Sequence, residues 1–188
     1  MMWSLPTTVE IDGVEYKIRN ECDYRVVLDV ISALNDDELD VENRIICALF
    51  IFYENLEGCQ NINKAVEEMY RIIDVGEEHK ESNDIESSNT PKLMDWEHDF
   101  KYIAPAISRV LGYSVRDAKT RTHWYDFVGA YMEIGECTFS TILSIRSKRQ
   151  KGEKLEKWEQ KFYKENKKIV DLPHNFTDEE REWLESDW

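Results

Sequence analysis

Asp95, His98 and Asp99 stand at i, i+3 and i+4 in the string Asp95-Trp96-Glu97-His98-Asp99, a spacing that puts all three on one helical face. Two carboxylates and an imidazole so placed could hold a divalent cation. The same acids also suit the first turn of a helix, where negative charge complements the macrodipole, and that is the reading adopted. His123 and Asp126 are a second pair three residues apart, with Glu133 and Glu136 downstream, and they could be drawn as an acid/base cluster. A hydrogen-bonded structural histidine explains the same letters. Cys137 and Ser140 are the nearest candidate nucleophiles, and neither stands in an activating context. Dinucleotide, P-loop, nucleophile-elbow and zincin motifs are all missing. The expectation is therefore a protein with no catalytic, cofactor-binding or metal-binding residue. Cys22, Cys47, Cys59 and Cys137 contain no Cys-x-x-Cys pair and read as buried free thiols.

The segment with the most to say about binding is Arg146 to Lys168, which holds ten basic and four acidic residues. Trp158, Phe162 and Tyr163 are interleaved with its lysines. Such aromatics could stack on bases, but the whole chain carries a net charge of -15, which repels phosphate. A helix with an aromatic stripe and a lysine face suits an acidic protein partner, or the acidic amino-terminal half of a second copy. The residues expected to contact a partner are Trp158 and Phe162 on the stripe, with Lys154, Lys157 and Lys161 on its flank.

These candidates sit in a chain of 188 residues, room for one core or two small lobes, and its 41% apolar content is enough to build them. Thr8 to Ile11 and Val14 to Ile18 are short β-prone runs joined by Asp12-Gly13, which predicts a hairpin with a type I′ turn. The rest reads as helix. Asp23 is a plausible cap for a helix carrying Tyr24, Val27, Leu28, Ile31 and Leu34, and a second helix is expected over about 40–56. Its centre, Ile45 to Tyr53, is apolar on every side, which predicts central burial. Ile62, Val66, Met69, Tyr70 and Ile73 give a third stripe, closed by Gly76. Residues 77–90 hold five acids and a single apolar residue, so 77–92 is expected to be a mobile acidic linker or loop. It parts an amino-terminal lobe, 1–76, from a carboxy-terminal lobe, 93–188.

In the second lobe, helices are expected over Asp95 to Leu111, Thr120 to Ile134 and Thr138 to Lys148, with Pro105 kinking or interrupting the first. Leu155, Trp158, Phe162 and Ile169 predict one further helix across 153–170. Thr177-Asp178-Glu179-Glu180 has the pattern of a capping box, opening a short helix with Trp183 and Leu184. The fold class is mainly α, with a short N-terminal β-hairpin. Charge is uneven: residues 1–94 carry 8 basic and 21 acidic residues, whereas 95–188 carry 16 and 18. The longest apolar run has nine residues, too short to span a membrane, and the opening residues lack the basic and apolar regions of a secretory signal.

The strings PKLMDWEHDFKYI from Pro91, Arg109-Val110-Leu111-Gly112-Tyr113, His123-Trp124, YMEIGECTFSTILSIRSKRQKGEKL from Tyr131 to Leu155, and Lys157-Trp158-Glu159 resemble the bacteriophage gene-product fifteen family. These are small proteins of long-tailed phages and prophages of Gram-positive bacteria. Trp3-Ser4-Leu5-Pro6-Thr7 and the Asp12-Gly13 hairpin resemble it too, so the likeness spans nearly the whole chain and is weakest over 36–90. The resemblance implies a part in tail morphogenesis, because the family's genes lie between those of the major tail protein and the tape-measure protein. That slot belongs to tail-assembly chaperones, which coat the tape-measure protein and recruit tail-tube subunits, often as a pair made by translational frameshifting. The expected partners are thus the tape-measure protein, the tail-tube protein, a frameshifted sibling and a second copy. Nucleic acid and membrane are not expected partners, no cofactor is expected, and the expected location is the host bacterial cytoplasm. Two other readings stay open: a structural tail or tail-completion component of the virion, and an enzyme or metalloprotein using Asp95, His98 and Asp99.

Overall fold

A computed structural model describes residues 4–76 and 92–173. The acidic stretch 77–90 and the segment from Thr177 onward lie outside the described residues. Within them the chain is mainly α, with one two-stranded antiparallel sheet at the amino-terminal end. The described residues fall into two compact units, 4–76 with 104–135 and 92–103 with 136–173.

In the first unit, β1 (Thr8–Ile11) pairs with β2 (Val14–Lys17), setting Val9 opposite Tyr16 and Ile11 opposite Val14. Asp12 and Gly13 both take positive φ, 51° and 81°, as a type I′ turn demands. The strand stops one residue earlier than expected. Ile18 instead bridges to Tyr53, and Asn20, Glu21 and Cys22 form a left-handed turn with φ of 50°, 55° and 62°. No residue there is glycine, and only Asn20 is of a type that favours this conformation, a weak signal for three successive residues.

Three helices follow, each opened by a side chain that accepts a backbone N–H. Asp23 caps α1 (Tyr24–Leu34), Asp40 caps α2 (Val41–Phe52) and Asn61 caps α3 (Ile62–Ile73). α1 packs along α2, and α3 packs on α2 and β1. The expected burial of α2 on all sides fails: Ala48, Leu49 and Phe52 are buried, but Ile46 is 41% and Phe50 74% exposed. α1, α3 and the turn at 19–22 cover one side of the helix and leave the other open. On α3 the buried face is Ala65, Met69 and Ile72, whereas Ile62 and Tyr70, both expected inward, are exposed. Ala65 sets this phase, because the buried Tyr53 hydroxyl donates to its carbonyl at 2.8 Å, and a reading led by large side chains overlooks alanine.

α4 (Trp96–Leu111) continues through Pro105, where a kink or break was expected. The N–H that Pro105 lacks would have met the carbonyl of Lys101, and both residues are exposed, so the loss falls on the solvated side. α5 (Trp124–Met132) brings Phe127 against Tyr24 with ring centroids 4.3 Å apart, and Trp124 stacks on Phe127 at 5.8 Å. The Trp124 indole donates to the carbonyl of Ile73 at 2.9 Å, and the Tyr24 hydroxyl donates to that of Val115 at 2.8 Å. Aromatic burial and satisfied polar tips together hold α1, α3 and α5 in one core.

Cys22 alone of the four thiols is fully buried; Cys47, Cys59 and Cys137 are partly exposed, which corrects the reading of all four as buried. Burial pushes the Cys22 thiol up to about 12, against a small lowering by a backbone N–H from Trp124. Thiolate is the reactive form. In native protein at mildly alkaline pH, a disulfide reagent such as Ellman's should therefore modify Cys47, Cys59 and Cys137 but spare Cys22 until denaturant is added. Mass spectrometry of the labelled peptides reads this directly, and rapid native labelling of Cys22 would contradict it.

The second unit is built on α6 (Thr138–Gln150), α7 (Lys157–Glu165) and the single turn α8 (Lys167–Val170). Ile142, Ile145 and Val170 form its buried centre, packed by Tyr102, Leu155, Phe162, Tyr163 and Ile169. The one helix expected across 153–170 is thus two, beginning only at Lys157. Asn166 ends α7 because its side-chain amide donates back to the carbonyl of Phe162 at 3.0 Å, in competition with the helical backbone.

Candidate functional site

The carboxylate of Asp99 is buried and saturated. Its Oδ1 accepts from Arg146 at 2.9 Å and meets His98 Nδ1 at 2.9 Å, while its Oδ2 accepts from Arg146 at 2.6 Å and from the Asp95 backbone N–H at 3.0 Å. Those four contacts use every lone-pair direction and leave none for a cation. Burial pushes the Asp99 carboxyl up, but the Arg146, Asp95 and His98 hydrogen bonds outweigh it and hold the group below the usual range. Asp95 in turn accepts from the His98 backbone N–H at 2.8 Å, so the Asp95, His98, Asp99 constellation is a helix cap joined to an ion pair. Among the described residues, no group of three or more His, Cys, Asp or Glu stands ready to hold a metal.

His123 and Cys137 are likewise helix caps. Nδ1 of His123 accepts from the Tyr125 N–H at 3.0 Å, which leaves Nε2 as the protonated nitrogen that donates to the Pro6 carbonyl at 2.9 Å. Asp126 is exposed and does not join it. The sulfur of Cys137 accepts from the Ser140 N–H at 3.4 Å while the Ser140 hydroxyl accepts from the Cys137 N–H at 2.9 Å, a reciprocal box that starts α6.

Arg146 opens the basic segment 146–168, yet it is buried, donating to both oxygens of Asp99 and to the carbonyls of Leu93, Val170 and Ile169. Its position beside Ile142 and Ile145 on the buried side of α6 is the signal: a charge at core spacing implies a buried partner.

α7 rests on this base with Leu155, Phe162 and Tyr163 directed inward. Glu159, 1% exposed, shares that side and is held below the usual carboxylate range by Lys148, 2.6 Å away, and by the Glu156 N–H at 2.8 Å. Trp158 lies on the outer side, 55% exposed, and its indole N–H donates to Glu156 Oε2 at 2.8 Å. Lys154, Lys157 and Lys161 are exposed. Lys157, Lys161 and Lys164, with Gln160 and Glu165, line a shallow depression of about 300 Å³. Trp158, Lys154, Lys157 and Lys161 are thus exposed, whereas Phe162 is half-buried against the core. The outer side of α7 carries an exposed aromatic ring and exposed lysines.

The fold is that of a mainly helical protein with an amino-terminal hairpin and an exposed tryptophan on α7. The chain belongs to the family described as Bacteriophage Gp15 protein, whose model matches residues 1–172. It is thus a bacteriophage protein, and its helical fold and hairpin are those that the apolar spacing and the Asp12-Gly13 turn predict. No curated protein and no solved structure matches the chain. Among the described residues, no helix is long and apolar enough to cross a membrane.

Proposed function

We propose that this chain is a non-enzymatic tail-assembly chaperone, which binds the tape-measure protein and recruits tail-tube subunits to it in the host cytoplasm. The observation that carries the reading is membership of the Gp15 family over residues 1–172. The outer side of α7 supports it: Trp158 supplies apolar area at low conformational cost, and Lys154, Lys157 and Lys161 attract acidic positions on a client helix. Phe162 contributes by fixing α7 to its core rather than by touching the client.

Co-expression with the tape-measure protein from the neighbouring gene tests this. A soluble complex containing both chains is the expected result. Trp158→Ala combined with Lys157→Ala and Lys161→Ala should reduce recovery of the client at least about tenfold, the scale of losing a central aromatic anchor. Because these side chains are exposed, stability should change by no more than about 0.5 kcal/mol. A client that stays insoluble would sink the proposal. Stoichiometric retention of the chain in purified particles, measured by mass spectrometry, would replace it with a structural tail component.

A further inference from the structure

We propose that the open side of α2 receives α7 of a second copy of this chain, so that copies associate head to tail. On α2, Ile46 and Phe50 lie one turn apart and are 41% and 74% exposed. Glu42 precedes Ile46 by one turn of α2 and is exposed. An apolar pair therefore has a carboxylate one turn away on the same helix. The end of α2 that carries Phe50 is fixed, because the Arg19 guanidinium donates to the carbonyls of Ile51, Phe50 and Tyr53 at 2.8, 2.7 and 2.8 Å.

α7 presents the complement. Trp158 is 55% exposed and pinned by its bond to Glu156. One surface is an apolar pair on the acidic amino-terminal part of the chain, the other an aromatic ring with Lys157 and Lys161 exposed on the same helix. The wider charge agrees, since residues 1–76 hold 16 acids and 6 bases, whereas 136–173 hold 6 acids and 10 bases. Opposite fields speed encounter and fix orientation, and the aromatic contact supplies affinity. The two surfaces differ, so the contact is heterologous: each pairing leaves one α2 and one α7 free, and assembly closes into a ring or continues. This concerns the protein alone and does not rest on client binding.

Sedimentation velocity on the purified full-length protein is the test. Association should rise with protein concentration and weaken between about 0.05 M and about 0.5 M salt, because surface charges are screened. Phe50→Ala and Trp158→Ala should each weaken self-association about 30-fold, the loss expected of an anchor worth two kcal/mol or more. Mixing those two variants is decisive: each retains the surface the other lacks, so the mixture should form a 1:1 heterodimer that neither forms alone. A protein that is monomeric at every concentration overturns the proposal. So does association that ignores both substitutions, or that is lost in both and not restored on mixing, which would mark a symmetric interface. A monomer in which Phe50→Ala lowers the melting temperature would instead put residues of the same chain on this face. Phe50→Ala leaves α7 intact, so client recovery by this variant separates the present proposal from the chaperone reading.

Discussion

Arg146→Ala should lower the stability of the protein by about 3–5 kcal/mol, the cost of stripping one partner from a buried ion pair. Arg146 uses all of its donors: two on Asp99, and one each on the carbonyls of Val170 at 2.5 Å, Leu93 at 3.0 Å and Ile169 at 3.2 Å. Alanine leaves a buried carboxylate and three carbonyls without it. Lysine restores charge but not the planar fork, so Arg146→Lys should recover only a small part of the loss. Urea unfolding followed by circular dichroism measures both, and a loss below about 1 kcal/mol for the alanine variant contradicts the assignment. The pH dependence has a definite sign. Asp99 is held below its ordinary value of 3.8, so its contribution is complete above that value and disappears as pH falls through the lower, folded-state value. In Arg146→Ala, burial loses its strongest opponent and the carboxyl takes up a proton more readily. The stability gap between wild type and variant should therefore narrow as pH is lowered.

What the letters disclosed was local. Asp12-Gly13 announces a turn that any neighbouring structure would accept, and Asp23 and Asp40 each cap the helix they precede, because these effects act within a few residues. Phase was harder. The spacing of Leu155, Trp158 and Phe162 fits a helix, but only the packing of Phe162 and Tyr163 on Ile142 and Ile145 decides that Glu159 turns inward and Trp158 outward. Burial of α2 depended on how many elements lie against it, and the apolar run itself holds no count of neighbours. Arg146 and Asp99 are 47 residues apart, and their pairing is a fact of tertiary structure. The exposure of Lys154, Lys157 and Lys161 was legible in their type; which of Trp158 and Phe162 faces out was not.

The second large effect is expected at Asp23, where a cap and a long-range contact share one carboxylate. Its Oδ1 accepts from the Arg25 N–H at 3.0 Å, opening α1, and its Oδ2 accepts from the Thr122 N–H at 3.1 Å, 99 residues away. The Arg25 side chain beside it, 3.3 Å from Oδ2, donates to the carbonyls of Val115 at 2.7 Å, Asp117 at 2.9 Å and Thr120 at 3.2 Å. Asp23 is 4% exposed and Thr122 1%, so water cannot easily replace the missing acceptor. Asp23→Ala should then lose a cap worth about 1 kcal/mol and strand a buried donor at about 1–3 kcal/mol, a total of about 2–4 kcal/mol. Asp23→Asn keeps an acceptor oxygen and should lose clearly less. Arg25→Ala on its own should cost less than Asp23→Ala, since the Arg25 side chain is 35% exposed. Because the two residues act on one loop, the double variant should lose less than the sum of the singles. Native-state hydrogen exchange localises the effect: the Thr122 amide should exchange much faster in Asp23→Ala, while amides around Ile142 keep their protection. Unchanged exchange at Thr122 would mean that the Asp23 carboxylate is not what ties α1 to the 115–122 loop.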